Sequence, residues 1–308
     1  MMWGIAITLL VAFTSSIIIS FIAYSFPTLA FILLVSLMFM PTVGVLIACK
    51  VTGDTPIKYG LSDLKIESCR KSNMSEIFML IVKTYESAFT KKMYTVIALT
   101  YPYFLALTNL LLYLILHGSL PSIADIIMTL TLGQIPKQLT PVLLIMYVLG
   151  VFINSIVGFL PALGEEICWR GYLLGNLAEE IGIFKATLLT GVIWSLWHTP
   201  LILILGYDYG IRYPDPRSFM AVLVFTVFCI LLGTFFTWLR YRSSTVTIPA
   251  LAHASFNGSG GLLLISFWNK DMLNAGLVGW PIIVSLIILL AFISVLELIM
   301  RKDLDKWQ

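Results

Sequence analysis

Stretches of about 20 consecutive apolar residues, the length a helix needs to cross a bilayer, recur at 3–24, 29–49, 94–117, 156–177, 183–205, 219–239, 244–268 and 277–300. The pattern predicts an all-α, polytopic integral membrane bundle of about eight transmembrane helices, folded as a single transmembrane domain over 1–308. The first stretch lacks a basic leader and is too long for a secretory h-region, so it reads as a span. The fourth has the least regular pattern: apolar sequence begins near Pro141 and is interrupted by Pro161, Gly164, Glu165 and Glu166. It fits either one kinked helix or a surface helix followed by a span.

The polar segments between the stretches set orientation. Segment 51–92 carries Lys58, Lys65, Arg70, Lys71, Lys83, Lys91 and Lys92, with Lys50 at its edge. The positive-inside rule places it in the cytoplasm. Alternation then puts all but four of the 19 basic residues on that side, the exceptions being Lys137, Arg212, Arg217 and Lys270. Both termini are expected in the cytoplasm, in a cell membrane or the endoplasmic reticulum. Segments 75–88 and 122–132 mix apolar and polar residues as short interfacial helices do.

Composition agrees with a bilayer as solvent: 59% of residues are hydrophobic, 11% are charged, and the mean hydropathy is +0.96. The net charge of +3 is too small and scattered for a nucleic-acid surface, so no nucleic-acid partner is expected. Cys49, Cys69, Cys168 and Cys229 are far apart and make no Cys-x-x-Cys pair, which argues against both a disulfide framework and a thiolate metal site.

An ionisable group inside a span costs at least a few kcal/mol and calls for a reason. Three places hold such groups. In Gly164-Glu165-Glu166-Ile167-Cys168-Trp169-Arg170, Glu166 and Arg170 stand i,i+4 with the acid N-terminal, the favourable order for an ion pair. Glu165 is left without a local partner and suits a general base. His198 sits mid-span in Trp194-Ser195-Leu196-Trp197-His198, and His253 and Asn257 share a helix face four residues apart. At 1.5 Å per residue from the basic ends, Glu165, His198, His253 and Asn257 lie roughly 14 to 22 Å deep, within one layer. A carboxylate, two imidazoles and an amide at a common depth suffice to hydrolyse an amide bond.

Glu165-Glu166-x-x-x-Arg170, Trp194-x-x-x-His198 and His253-x-x-x-Asn257 resemble, in order, the three motifs of the CAAX protease and bacteriocin-processing family. The resemblance implies a glutamate-dependent intramembrane endopeptidase like the Ras-converting prenyl proteases, with its catalytic core at about 141–268. It implies that Glu165 and His198 activate water and that His253 and Asn257 form the oxyanion site. Glu166, Arg170 and Trp194 then serve as structural support. The substrate would be a prenylated or other membrane-associated peptide, reached through a cavity open to the cytoplasm, with no cofactor and no metal. Trp194 stands where the family has Phe, a change expected to affect packing only.

Two other readings use the same residues. Glu165, His198 and His253 could ligate zinc in a metalloprotease, and membrane carboxylates and histidines also serve proton-coupled transporters. The remaining ionisable groups have ordinary explanations. His117 reads as interfacial, Glu179 and Glu180 as solvated, and Asp208, Arg212, Asp215 and Arg217 as parts of a turn with Pro214 and Pro216.

Overall fold

The computed structural model describes residues 2–53, 74–130 and 136–304. Lys58, Lys65, Arg70, Lys71, Lys306, Cys69 and both chain ends of the topology reading therefore lie outside the described residues. Within them the chain is a polytopic helical membrane protein without strands. Its helices are α1 (Met2–Ser25), α2 (Ala30–Leu37), α3 (Met40–Thr52), α4 (Met74–Thr90), α5 (Lys92–His117), α6 (Ile123–Leu130) and α7 (Thr140–Val157). There follow α8 (Phe159–Glu166), α9 (Leu174–Ile181), α10 (Ile183–Pro200), α11 (Arg217–Ser243), α12 (Thr247–Gly258), α13 (Gly260–Ser266) and α14 (Trp280–Leu304).

Among the described residues six helices are long and apolar enough to cross a membrane, or up to seven when the pair Pro27–Leu37 and Met40–Thr52, bent by 43°, counts as one span. Two of the eight expected stretches differ. The fourth long apolar helix is α7, which begins at Thr140 with Pro141 in its first turn, well before the expected 156. It ends at Gly158, and a separate α8 carries the two glutamates. The expected 244–268 span is divided at Ser259 into α12 and α13, each too short to cross alone. The break at Gly158 falls in the stretch whose sequence pattern is already irregular, but hydropathy summed over a stretch registers neither its position nor the break at Ser259.

Close approach of helices depends on small residues, as it does where lipid rather than water surrounds the bundle. Gly191 of α10 lies against α11, where an added Cβ would come within 2.7 Å of the Ile230 Cα. Gly164 of α8 similarly abuts the bend between α2 and α3, 2.8 Å from the Met38 carbonyl for an added Cβ, and its own carbonyl accepts a 2.5 Å bond from Thr42 Oγ1. α1 is tied to α10 by a reciprocal pair: Ser16 Oγ donates to the Trp197 carbonyl (2.6 Å) and Trp197 Nε1 to the Ala12 carbonyl (3.0 Å).

Two helix stretches unwind into wider π turns, at Ile167–Leu173 after α8 and at Leu201–Leu205 after α10. The second follows Pro200, whose missing N–H breaks the ladder. The loop beyond it supplies donors, Tyr207 N–H to the Leu201 carbonyl and Tyr213 N–H to the Leu203 carbonyl. Near the opposite end α4 packs on α12 and α5, and Tyr85 Oη donates to the Ile156 carbonyl of α7 at 2.8 Å. There α14 joins α11 through Glu297, which accepts from Arg242 and from Trp238 Nε1.

Loop 206–216 and the end of α11 carrying Arg240 and Arg242 sit at opposite ends of that 27-residue helix. Tyr213 and Tyr241 are exposed at these two ends. Tyr213→Cys and Tyr241→Cys, each in a background without native cysteines, are expected to react with a membrane-impermeant maleimide from opposite faces. Labelling of both from one face would dismiss this arrangement of α11.

Candidate active site

Each of the three sequence motifs occupies a different helix, and Trp194 of α10 joins them. Its Nε1 donates to Glu165 Oε2 at 2.8 Å. Its ring centroid lies 5.8 Å from that of His198 and 5.3 Å from that of His253. The Arg170 guanidinium lies over the same ring, 4.4 Å from its centroid. Glu165 Oε2 accepts a second indole bond, 3.2 Å from Trp169 Nε1, which leaves Oε1 with no hydrogen bond among the described residues. The carboxylate is thus clamped by one oxygen and presents the other.

Glu166 is fully buried, and its Oε1 accepts from both Arg170 (2.9 Å) and His253 Nδ1 (2.9 Å). The i,i+4 ion pair read from the sequence is present, with His253 of α12 as an additional partner that the spacing could not reveal. Because a carboxylate accepts, His253 carries its proton on Nδ1 and keeps Nε2 for other use. His198 is fixed likewise, since its Nδ1 lies 2.9 Å from the Trp194 carbonyl, which can only accept. Trp197 packs edge-on against His198 at 4.6 Å, so the bonds from α1 to Trp197 steady this imidazole too. That support from the first helix had no signal in the motifs.

His198, His253, Asn257 and Trp194 line one cavity of about 130 Å³, completed mainly by Phe225, Phe228 and Leu232 of α11. Glu165 does not itself line the cavity; it is joined to the wall by the Trp194 indole that bonds to its Oε2. Asn257 is exposed and makes no hydrogen bond among the described residues. Two sequence readings change here. Trp194 does more than pack, because its N–H bonds to the carboxylate, which Phe could not do. Asp208, read as part of a turn, lines the cavity, whereas Asp215 does serve the turn, accepting from Arg217 at the start of α11.

The lining residues that keep exposure are Asp208, Asn257, Gly260 and Leu277. The mouth therefore lies at the end bearing loops 206–216 and 267–279, away from Lys185, Arg240 and Arg242. A cytoplasmic location for those basic residues and a cytoplasmic mouth cannot both hold. Among the described residues no group of three or more His, Cys, Asp or Glu side chains is arranged to hold a metal ion. Cys168, close to Glu165 in sequence, is fully buried.

With this geometry in view, residues 140–259 match the family model described as type II CAAX prenyl endopeptidase Rce1-like. The match covers less than half of the chain. It contains Glu165, Glu166, Arg170, Trp194, His198, His253 and Asn257. A protein of Methanococcus maripaludis named CAAX prenyl protease 2 is 33% identical over 109 residues, which is 35% of this chain and 39% of that protein. α1 to α6, α13 and α14 lie outside the Rce1-like match, although α1 steadies Trp197 within it.

Replacing Glu166 by Gln leaves the Arg170 guanidinium, 2% exposed, without its balancing charge. Breaking a buried pair in this way costs about 3 to 5 kcal/mol. Glu166→Gln is expected to lower the melting temperature in detergent well below that of Glu165→Gln. Equal melting temperatures would show that the pair contributes no stability.

Proposed function

We propose that this chain is a glutamate-dependent intramembrane endopeptidase, cleaving a peptide bond near the C-terminus of a prenylated or similar membrane-associated peptide. The observation that carries this reading is a buried carboxylate held by two indoles through one oxygen, next to two histidines of fixed tautomer that face one cavity. The Rce1-like match over the same residues supports it.

In the proposed reaction, water held by His198 Nε2 gives its proton to Glu165 Oε1 as the oxygen attacks the scissile carbonyl carbon. The oxyanion that forms accepts hydrogen bonds from the Asn257 amide and from His253 Nε2–H. That second role requires His253 to be protonated on both nitrogens, a charge balanced by Glu166 Oε1 2.9 Å from its Nδ1. Collapse of the tetrahedral species breaks the C–N bond, and the proton on Glu165 passes to the departing amine. The bases are spent and restored within one turnover, with no group left modified. We assign this chemistry to a core of about 141–268 in one membrane domain.

Prenyl chains bring about 0.8 kcal/mol of membrane affinity per buried methylene. They would concentrate a lipidated C-terminus beside the mouth, and the face that carries loop 206–216 decides from which side it comes.

Two measurements test the reading. Purified protein is expected to cleave a farnesylated Cys-a-a-X peptide faster than its unlipidated twin, with the rate unaffected by a strong chelator. Glu165→Gln should keep its melting temperature and lose nearly all turnover; an active Glu165→Gln enzyme removes the general base. Loss of rate with chelator and its return with zinc would favour a metalloprotease.

The indole bond to Glu165 gives a second prediction. Trp194→Phe keeps a ring beside His198 and His253 but removes one donor to a carboxylate. Such a bond contributes about 1.5 to 3 kcal/mol, so kcat should fall about tenfold or more with KM little changed. An unchanged kcat would reduce Trp194 to packing.

A further inference from the structure

Asp208 differs from the other polar groups that line the cavity. His198 and His253 are each held by a bond at Nδ1, whereas the Asp208 carboxylate has no hydrogen bond or ion pair to any described residue. Most of the wall around it is aromatic or aliphatic, including Phe225, Phe228, Leu277 and Val278. Part-exposed at the mouth, the carboxylate is solvated while the cavity is open, and a peptide that displaces that water leaves it unfavourable unless the peptide supplies a group to pair with it.

The backbone holds it there. Asp208 has φ +60°, between Gly206 at +71° and Gly210 at +66°. This left-handed conformation is disfavoured for most side chains, with Asp among the more tolerant. The turn is pinned on both sides: the Tyr209 and Gly210 N–H groups donate to the Gly206 carbonyl, and buried Tyr209 donates through Oη to the Val278 carbonyl at 2.9 Å. Val278 itself lines the cavity. A constrained turn thus holds a charge-bearing side chain in the wall near the mouth, on the same cavity as the two imidazoles. Burial pushes the Asp208 carboxyl up to about 7, as expected where no cation stands opposite it.

We propose that Asp208 is a specificity-determining residue that recognises a lysine or arginine side chain of the peptide close to the scissile bond. The proposal rests on the endopeptidase reading above and adds a substrate feature to it. A cation entering the cavity forms a charge-assisted hydrogen bond in surroundings of low polarity, where such a bond is strong. An acidic side chain in the same place meets like charge and is rejected.

The test uses the full chain and a peptide set identical except at one of the three residues after the scissile bond, which carries Lys, norleucine or Glu. Norleucine keeps most of the length of the lysine side chain without its charge. At one of these positions the wild type is expected to prefer Lys to norleucine by about tenfold in kcat/KM, with Glu the poorest. Asp208→Asn, which keeps the shape and suits the left-handed backbone, should bring the Lys to norleucine ratio to about one, and Asp208→Lys should favour Glu. Identical ratios in wild type and Asp208→Asn at all three positions would overturn the proposal while leaving the peptidase intact.

Binding separates the two readings further. Affinities of the same peptides for Glu165→Gln and for Glu165→Gln with Asp208→Asn, read by fluorescence anisotropy, report charge recognition without turnover. No cleavage of any peptide by the wild type refutes the endopeptidase reading. Lys-selective binding that disappears with Asp208→Asn would still uphold charge recognition by Asp208, and binding without selectivity, or no binding, would refute it.

Discussion

The Glu166 carboxylate holds the interior of this bundle in register. A charge at membrane depth must find its counter-charge within the protein, and here one oxygen serves Arg170 one turn along its own helical segment and His253 on α12. That double acceptance fixes where α12 can lie relative to α8. It also places Arg170 over Trp194, and Trp194 reaches back to the neighbouring Glu165. Adjacent glutamates thereby acquire different surroundings: one is enclosed by cationic and imidazole donors, the other by two indoles. The difference follows from facing directions about 100° apart on a helix.

Indole donors are suited to the second environment. They supply hydrogen bonds without charge, so they orient Glu165 without neutralising it, and their bulk keeps lipid and water from its bonded oxygen. A guanidinium in the same position would tie up both oxygens in a bidentate pair and leave no free acceptor.

Much of this was legible in the sequence because the three motifs put rare polar groups into apolar runs, where each is conspicuous. The Glu166 and Arg170 pair followed from their spacing, and a common depth for Glu165, His198 and His253 followed from counting residues. Three kinds of feature were not legible. Hydropathy summed over an apolar stretch did not locate the breaks at Gly158 and Ser259, although the second lies in Asn257-Gly258-Ser259-Gly260-Gly261, a run of poor helix formers. The bond between His253 and Glu166 spans 87 positions, beyond any local pattern. Asp208 looked like an ordinary turn residue because its neighbours Gly206, Gly210 and Pro214 are turn formers; that the turn folds over the cavity is a property of tertiary packing.

The reciprocal bonds between α1 and α10 carry a consequence for biogenesis. Ser16 and its acceptor on Trp197 are separated by 181 positions, so a ribosome adding about 5 to 20 residues per second makes them roughly 10 to 40 s apart. For that interval α1 has only nearer partners. Gly44 of α3 is one, since a Cβ added to it would come within 2.8 Å of the Thr8 carbonyl oxygen. An early hairpin of α1 and α3 would therefore wait in the bilayer as a preformed wall, on which α10 would dock and set His198 in place. The cluster around Trp194 is complete only when α12 follows with His253, so a partly synthesised chain keeps these polar groups apart until the bundle that buries them exists.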